Sequence, residues 1–169
     1  MDAAELRARQ APIKERYKQD PAAAVITLKA KGSIETEGLT CKVETGRALA
    51  VAGPHPATGG SGLELCSGDM LLEALVACAG VTLKSVATAI EVPLKQGLVY
   101  AEGDLDFRGT LGVDKEAPVG FEEIRVRFEV DTSAPQDKLD LLKKLTERYC
   151  VVYQTIKNGP PVEVKLNRA

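Results

Sequence analysis

The chain has 169 residues, of which 44% are hydrophobic, and its formal net charge is -2. This length and composition predict one globular domain with enough interior for a sizeable core, and they exclude a disordered chain. No uninterrupted apolar run approaches the ~20 residues of a membrane-spanning helix. The charge provides no basic field, so neither a membrane nor a nucleic acid is expected as a partner.

The first segment reads MDAAELRARQAPIKERYKQD, which is charged and has no apolar stretch of the kind found in secretory signals. We therefore expect a cytoplasmic protein. The same segment predicts a helical arm that Pro12 interrupts and that Asp20 and Pro21 end. These features divide the chain into an N-terminal helical arm, residues 1–22, and a single domain, residues 23–169.

Alternation of apolar and polar residues predicts three short strands after the arm, in the segments VITLKA, LTCKVE and RALAVAG. A loop rich in proline and glycine follows from Gly53 to Gly62. Beyond it, a long apolar segment predicts a helix that Ser67 caps, with Asp69 in the first turn and an end near Ile90. Because this helix is apolar on nearly all sides, we expect it at the centre of the fold.

The second half of the chain predicts two longer strands, over residues 99–107 and 123–130, each with one apolar and one polar face. A further helix is expected to begin near Pro135, with an apolar stripe of Leu139, Leu142, Leu145 and Tyr149. After a turn at residues 158–161, a last strand is expected to bury Val162, Val164 and Leu166. The order helix, three strands, long helix, two strands, helix, strand predicts an α+β fold.

The residues with the most reactive side chains are four cysteines, Cys41, Cys66, Cys78 and Cys150. A reducing compartment and a chain of this length argue against a framework of structural disulfides. The absence of a CxxC motif and the presence of a single histidine, His55, argue against a zinc site. Each cysteine taken alone is most simply a packing residue, because free cysteine is among the most buried residue types.

Two segments resemble conserved regions of the OsmC/Ohr family, the osmotically induced and organic-hydroperoxide-resistance proteins. The pattern GG-x-G…SGDMLLEALVAC resembles the glycine loop and the cysteine-bearing helix of that family, and ERYCVVYQTIKNGPPVEVKL resembles its second cysteine region and last strand. The predicted element order is similar too, so the resemblance covers roughly Ala23 to Leu166. The N-terminal arm resembles an extension found in one branch of the family.

The resemblance implies an OsmC-like fold, in which antiparallel sheets wrap around a long buried central helix, and an intertwined homodimer. It implies that Cys78 is the peroxide-attacking cysteine and Cys150 the resolving one. The implied function is thiol-dependent reduction of organic hydroperoxides in oxidative-stress defence. No cofactor is implied, and the implied partners are an organic hydroperoxide or another apolar small molecule and an external dithiol reductant.

The chain departs from the family pattern at two places. The peroxidase branch carries an arginine in an early turn that reads GSIETEG here, and Val151 stands in place of the usual proline after the second cysteine. Arg47 is the nearest early arginine, and Asp69 stands close to where that branch has a glutamate. The sequence therefore leaves open which group activates Cys78.

Two other functions stay open beside peroxide reduction. The chain could be a non-enzymatic OsmC-like protein that binds an apolar small molecule in the dimer cleft, or a thiol redox sensor. Other polar residues are interpreted as structural: His55 as a surface-loop residue, Asp104 and Asp106 as solvated charges, and Glu73 as a helix residue that needs a buried partner.

Overall fold

The fold was analysed in a computed structural model, which describes residues 3–34, 41–43, 53–63, 65–166 and 168. The segment 47–52 of the third predicted strand, together with Arg47, lies outside the described residues. So does most of the early turn, from residue 35 to residue 38. The side chain of Cys41 is also outside the description, so its predicted packing stays a prediction.

Within that description the chain forms five α-helices and four strands, with short 3-10 turns at Pro21–Ala24 and Pro56–Thr58. The helices are α1 (Ala3–Gln19), α2 (Ser67–Ala89), α3 (Phe107–Thr110), α4 (Gln136–Tyr149) and α5 (Val151–Asn158). The strands are β1 (Val25–Ile34), β2 (Cys41–Val43), β3 (Gln96–Asp106) and β4 (Phe121–Asp131). They form one antiparallel sheet in the order β2-β1-β3-β4. The predicted α+β class is therefore confirmed.

The N-terminal helix α1 packs against the domain through Tyr17, which is fully buried. The Tyr17 ring joins a small core with Ala24, Phe107 and Leu111, and its hydroxyl donates to the Ala57 carbonyl oxygen at 2.9 Å. The helix continues through Pro12, where the sequence predicted an interruption. The boundary at residue 22 between arm and domain stays a prediction.

The long helix α2 lies against the sheet and carries most of the main core. Its first residue is Ser67 and its N-cap is Cys66, one residue earlier than predicted. One face is buried, through Leu72, Leu75, Val76, Ala79, Gly80, Leu83, Val86 and Ala87. The opposite face leaves Leu71 and Val81 exposed. Of the described helices, α2 is the one long and apolar enough to cross a membrane, with mean hydropathy 1.7, but its packing is that of a core helix.

The paired strands β3 and β4 confirm the two predicted long strands. Val99 and Ala101 of β3 are fully buried in the main core. Residue Phe107 does not extend β3 as predicted, because the Asp106 carboxylate accepts the Arg108 N–H and starts helix α3. Asp106 is 2% exposed and paired with the Arg108 guanidinium, so the prediction of a solvated charge was wrong.

The C-terminal part differs most from the sequence-based expectation. Helix α4 begins directly after Pro135 as predicted, but Tyr149 at its end is exposed rather than part of the apolar stripe. A second helix, α5, follows where no element was predicted. The expected last strand is not formed: Val162, Val164 and Leu166 are 81%, 87% and 98% exposed.

Candidate active site

Cys78 lies in the middle of α2, at the border between its buried and its exposed face, and packs against the main core. Leu71, Ala74 and Val81 stand three, four or seven residues from Cys78 and lie on the exposed face next to it. The Cys78 thiol is half-buried. One turn later, the Thr82 hydroxyl lies 4.0 Å from Cys78 Sγ.

Cys150 lies at the junction of α4 and α5 and belongs to neither helix. Its backbone is extended, with φ -71 and ψ 107, so it ends one helix and caps the next. The side chain is 1% exposed, and its Sγ accepts the Tyr153 N–H at 3.5 Å. This sharp junction turns the start of α5 toward α2.

The two sequence-predicted site residues meet there. Cys150 belongs to the main core cluster, Cys78 packs against it, and each thiol affects the pKa of the other. Val152, the second residue of α5, packs against the same cluster. Both cysteines are free thiols.

The surroundings shift the two thiol pKa values in opposite directions. Burial alone would raise the pKa of Cys78, but hydrogen bonds from Val152, Cys150, Thr82 and Val151 outweigh it and lower that pKa. Burial raises the pKa of Cys150 to about 11; the Tyr153 N–H offsets part of this effect, and the hydrogen bond to Cys78 adds to it. Cys78 is therefore the more readily ionised thiol of the two, and Cys150 keeps its proton to higher pH.

A cavity of about 770 Å³ adjoins Cys150 between α2, β4, α4 and α5. Cys150 lies in its wall, together with apolar residues that include Leu75, Leu83, Phe128, Leu139 and Ile156. Lysines and carboxylates also line it, among them Lys143, Glu147 and Lys157. The cavity can hold an apolar molecule beside Cys150.

The remaining sequence candidates lie apart from the thiol pair. His55 Nδ1 accepts the Ala57 N–H at 3.0 Å, and the imidazole stacks on Phe107, so it holds its loop. Burial raises the pKa of Asp69, which nearby His55 partly offsets, and the pKa of Glu73 is raised by burial and by Asp69. Half-buried Cys66 packs against the main core. In the described ranges no group of three or more His, Cys, Asp or Glu side chains could hold a metal ion.

A family model described as OsmC-like protein matches residues 59–165, which is more than half of the chain. The chain belongs to the OsmC family. The match includes both Cys78 and Cys150 together with the helices that carry or flank them. No curated protein sequence matches the chain.

Solved structures share the OsmC fold at low sequence identity. An OsmC-like hydroperoxide resistance protein from Jannaschia sp. CCS1 is 12% identical, with TM-score 0.62, over 86% of this chain and 95% of that one. An OsmC-like protein from Mycoplasma pneumoniae is 13% identical, with TM-score 0.53, over 80% of this chain and 86% of that one. At such identities the likeness concerns the fold alone.

The sequence-based interpretation of this OsmC-family chain missed two features of the site, the Thr82 hydroxyl beside Cys78 and helix α5 after Cys150. Thr82 could have been found, since it follows Cys78 by four residues on the same helix face. Helix α5 also left a signal, because Val152, Tyr153 and Ile156 stand at helical spacing.

Proposed function

We propose that this OsmC-family protein defends against peroxides by reducing organic hydroperoxides, with Cys78 as the attacking thiol and Cys150 as the resolving one. The observation that carries the proposal is that Cys78 packs against the core cluster that contains Cys150, and that the pKa values of the two thiols are displaced in opposite directions. A nucleophilic thiol must ionise, whereas a resolving thiol can stay protonated until a sulfenic acid forms beside it.

The proposed reaction has two steps on the protein. The Cys78 thiolate attacks the outer oxygen of the hydroperoxide, the O–O bond breaks, and the departing alkoxide takes a proton from water to become an alcohol. Cys78 is thereby oxidised by two electrons to a sulfenic acid. The Cys150 sulfur then attacks Cys78, forming a disulfide and releasing the hydroxyl with the Cys150 proton as water.

An external dithiol would complete the cycle by thiol–disulfide exchange, giving two protein thiols and an oxidised dithiol. No protein-bound cofactor takes part in these steps. The apolar cavity beside Cys150 supports an organic peroxide as the substrate, because it can remove an alkyl or aryl group from water. Since the thiols must be reduced between turnovers, we propose the cytoplasm as the site of action.

The test is mass spectrometry after one equivalent of cumene hydroperoxide, with remaining free thiols alkylated under denaturing conditions. The expected product is a Cys78–Cys150 disulfide. A Cys78→Ser variant should form no disulfide, and a Cys150→Ser variant should stop at the Cys78 sulfenic acid. Cys66→Ser is the matched control, since it removes a half-buried thiol outside the pair and should behave like the unchanged protein.

Steady consumption of the peroxide with a dithiol, but not with Cys78→Ser, is the expected kinetic result. If Cys78 stays reduced while Cys66 reacts, the proposed thiol mechanism is wrong. A disulfide that forms once without steady turnover would instead support the redox-sensor function.

The cavity also supports a second candidate, a binding protein for an apolar small molecule. Native mass spectrometry of the purified protein would show a retained ligand. If Cys78→Ser and the unchanged protein both retain the ligand and neither consumes peroxide, binding would be favoured over catalysis.

We propose further that the working form is a homodimer. The Cys78 side of α2 exposes Leu71 and Val81, and the nearby α4–α5 junction exposes Tyr149 and Val151. The tail adds Val162, Val164 and Leu166, which alternate like a strand and lie exposed. So much exposed apolar surface around one site is unusual for a monomer, and a second copy of this chain would cover it.

A further inference from the structure

The C-terminal tail, residues 160–166, has the pattern of a strand but lies exposed along its whole length. Three apolar side chains alternate with two charged ones, in the order Val162, Glu163, Val164, Lys165, Leu166. Lys165 Nζ and Glu163 Oε1 lie 3.0 Å apart, so the charged side chains share one face and the apolar ones take the other. A strand with this pattern buries its apolar face by joining a sheet.

Strand β4 offers a sheet edge to such a segment. It lies at the end of the described sheet, with β3 on one side and no described strand on the other. The apolar side chains of β4 line the cavity that adjoins Cys150 and are only partly buried, namely Ile124, Val126, Phe128 and Val130. Their partners Val99 and Ala101 on the same face of β3 are fully buried. An edge of this kind can accept a further strand.

We propose that the tail of a second copy of this chain adds to the β4 edge as an antiparallel strand and covers the cavity with its three apolar side chains. This inference rests on the proposed homodimer and extends it, because the partner then supplies part of the wall around Cys150. Every strand pair in the described sheet is antiparallel, so an antiparallel tail continues the existing pattern.

Charge selects one register for this pairing. A slip of one residue would turn the apolar face of the tail to solvent, so the possible registers differ by two residues. The register that sets Val164 opposite Ile124 pairs opposite charges on the outer face of the sheet. The next register along β4 would set Lys165 against Arg125. The pairs in the selected register are Glu163 with Arg125 and Lys165 with Glu123.

The start of the tail favours the β4 edge of another copy over that of its own protomer. Pro160 shares a groove with Gln154 and Asn158 on one side of α5. Tyr153 and Ile156, on the other side of this helix, line the cavity. The tail therefore begins on the side of α5 that faces away from the cavity of its own protomer.

The test is a disulfide between two chains that each carry one added cysteine. Proteins with Glu123→Cys and with Lys165→Cys are co-expressed, purified under reducing conditions and then oxidised with oxidised glutathione. Opposite residues of antiparallel strands have Cα atoms about 4.5–5.5 Å apart, which a disulfide can bridge. Peptide mass spectrometry identifies the 123–165 linkage separately from any disulfide of the native cysteines. Because neither chain carries both substitutions, this linkage joins two chains.

The matched control combines Lys165→Cys with Glu129→Cys. Glu129 lies on the same face of β4 as Glu123, but in the proposed register it stands about 20 Å from Lys165 along the strand. The 129–165 linkage should therefore be at least about tenfold weaker than the 123–165 linkage. A dominant 129–165 linkage would indicate a parallel tail and overturn the inference, and so would the absence of both linkages.

A chain that carries both Glu123→Cys and Lys165→Cys tests the alternative in which the tail pairs within its own protomer. A linkage found only in this doubly substituted chain, at the mass of a single chain under denaturing conditions, would overturn the inference. Light scattering of the unchanged protein separates failure of the tail pairing from failure of the dimer. A dimeric mass without the 123–165 linkage would overturn the tail pairing alone, and a monomeric mass would overturn both proposals.

A second measurement tests the closure of the cavity. Val164→Asp places a carboxylate where the tail meets the apolar cavity, so the tail should detach from β4. The fluorescence of the dye anilinonaphthalene sulfonate should then rise at least about twofold, because this dye binds newly exposed apolar surface. Val119→Asp makes the same change at an exposed loop residue and should leave the fluorescence unchanged. Equal fluorescence of both variants would contradict the closure.

Discussion

Cys78 and Cys150 have the same side chain, yet their surroundings give them different chemistry. Burial disfavours the thiolate at both positions, because an ion is less stable away from water. At Cys78 hydrogen bonding reverses that effect and lowers the pKa, whereas at Cys150 the Tyr153 and Val152 amides do not, because the Cys78 sulfur raises the Cys150 pKa further. The direction of each pKa shift is thus decided by the balance of burial, hydrogen-bond donors and the neighbouring sulfur.

The first residue-scale prediction concerns selective alkylation of this pair. At neutral pH iodoacetamide should modify Cys78 much faster than Cys150, and the gap should narrow as the pH approaches about 11, where the Cys150 thiol ionises. Peptide mass spectrometry of briefly treated native protein measures both rates. Equal rates in denatured protein are the control, and faster native labelling of Cys150 at neutral pH would contradict the assignment.

A second residue-scale prediction concerns the buried carboxylate of Asp106, which binds the Arg108 Nε at 2.9 Å. Asp106→Asn should lower the free energy of unfolding by about 1–3 kcal/mol, because a buried charge-assisted hydrogen bond is lost. Asp114→Asn is the control, since Asp114 is a more exposed partner of the same arginine. Urea unfolding followed by circular dichroism measures both changes.

The difference in unfolding free energy between the unchanged protein and Asp106→Asn should depend on pH. The hydrogen bond from Arg108 outweighs burial and lowers the folded-state pKa of Asp106. The ionised Asp106 carboxylate therefore contributes its full stabilisation at pH values above the pKa of this carboxyl in the unfolded chain. That stabilisation is lost as the pH falls through the lower pKa of the folded state. If the difference in unfolding free energy grew as the pH fell, the ionised form of Asp106 would not be the stabilising one.

At the scale of elements, two helices fix the surroundings of the site and the loop before α2. Helix α5 packs against the main core next to Cys150 through Val152, Tyr153 and Ile156. Helix α1 holds the loop before α2, because Tyr17 packs against Phe107 and its hydroxyl binds the Ala57 carbonyl. The arm is thus part of the packed structure and not a free extension.

The element-scale prediction tests that anchoring. Tyr17→Phe removes only the hydroxyl and should cost about 1 kcal/mol of unfolding free energy. Tyr17→Ala also empties a fully buried ring position and should cost about 3–5 kcal/mol. Urea unfolding separates the two, and limited proteolysis should cut α1 only in the alanine variant. Equal stability of both variants would mean that the ring contributes nothing to the docking of α1.

At the scale of the whole molecule, the protomer leaves apolar surface on the Cys78 side of α2, at the α4–α5 junction and along the tail. Leu71 and Val81 flank Cys78 on α2, and Tyr149 and Val151 flank Cys150, so apolar surface adjoins the thiols at the edge of the main core. A second copy would shield the thiols as well as the apolar residues. The proposed dimer is therefore linked to the chemistry of the site.

The whole-molecule prediction is that Val81→Glu gives a monomer, because it places a charge in the middle of the exposed side of α2. Light scattering coupled to size-exclusion chromatography measures the mass. Val119→Glu is the matched control, since Val119 is also exposed but lies in the loop before β4. The Val119→Glu protein should stay dimeric. A monomeric mass for the unchanged protein would contradict the proposal.

The sequence by itself determined the α+β class, the long central helix, the two long strands and the start of α4, because each depends on a local pattern of apolar residues or a cap. The family resemblance selected Cys78 and Cys150, and membership of the OsmC family is confirmed. Their roles as a redox pair stay a prediction.

Only the tertiary structure decided which groups contact those thiols. Asp106 is buried because the neighbouring Arg108 pairs with it, whereas the tail is exposed although its residues alternate like a strand. The junction of α4 and α5 brings Cys150 into the same core cluster against which Cys78 packs. Cys78 and Cys150 stand about seventy positions apart, so no local pattern in the sequence encodes their proximity.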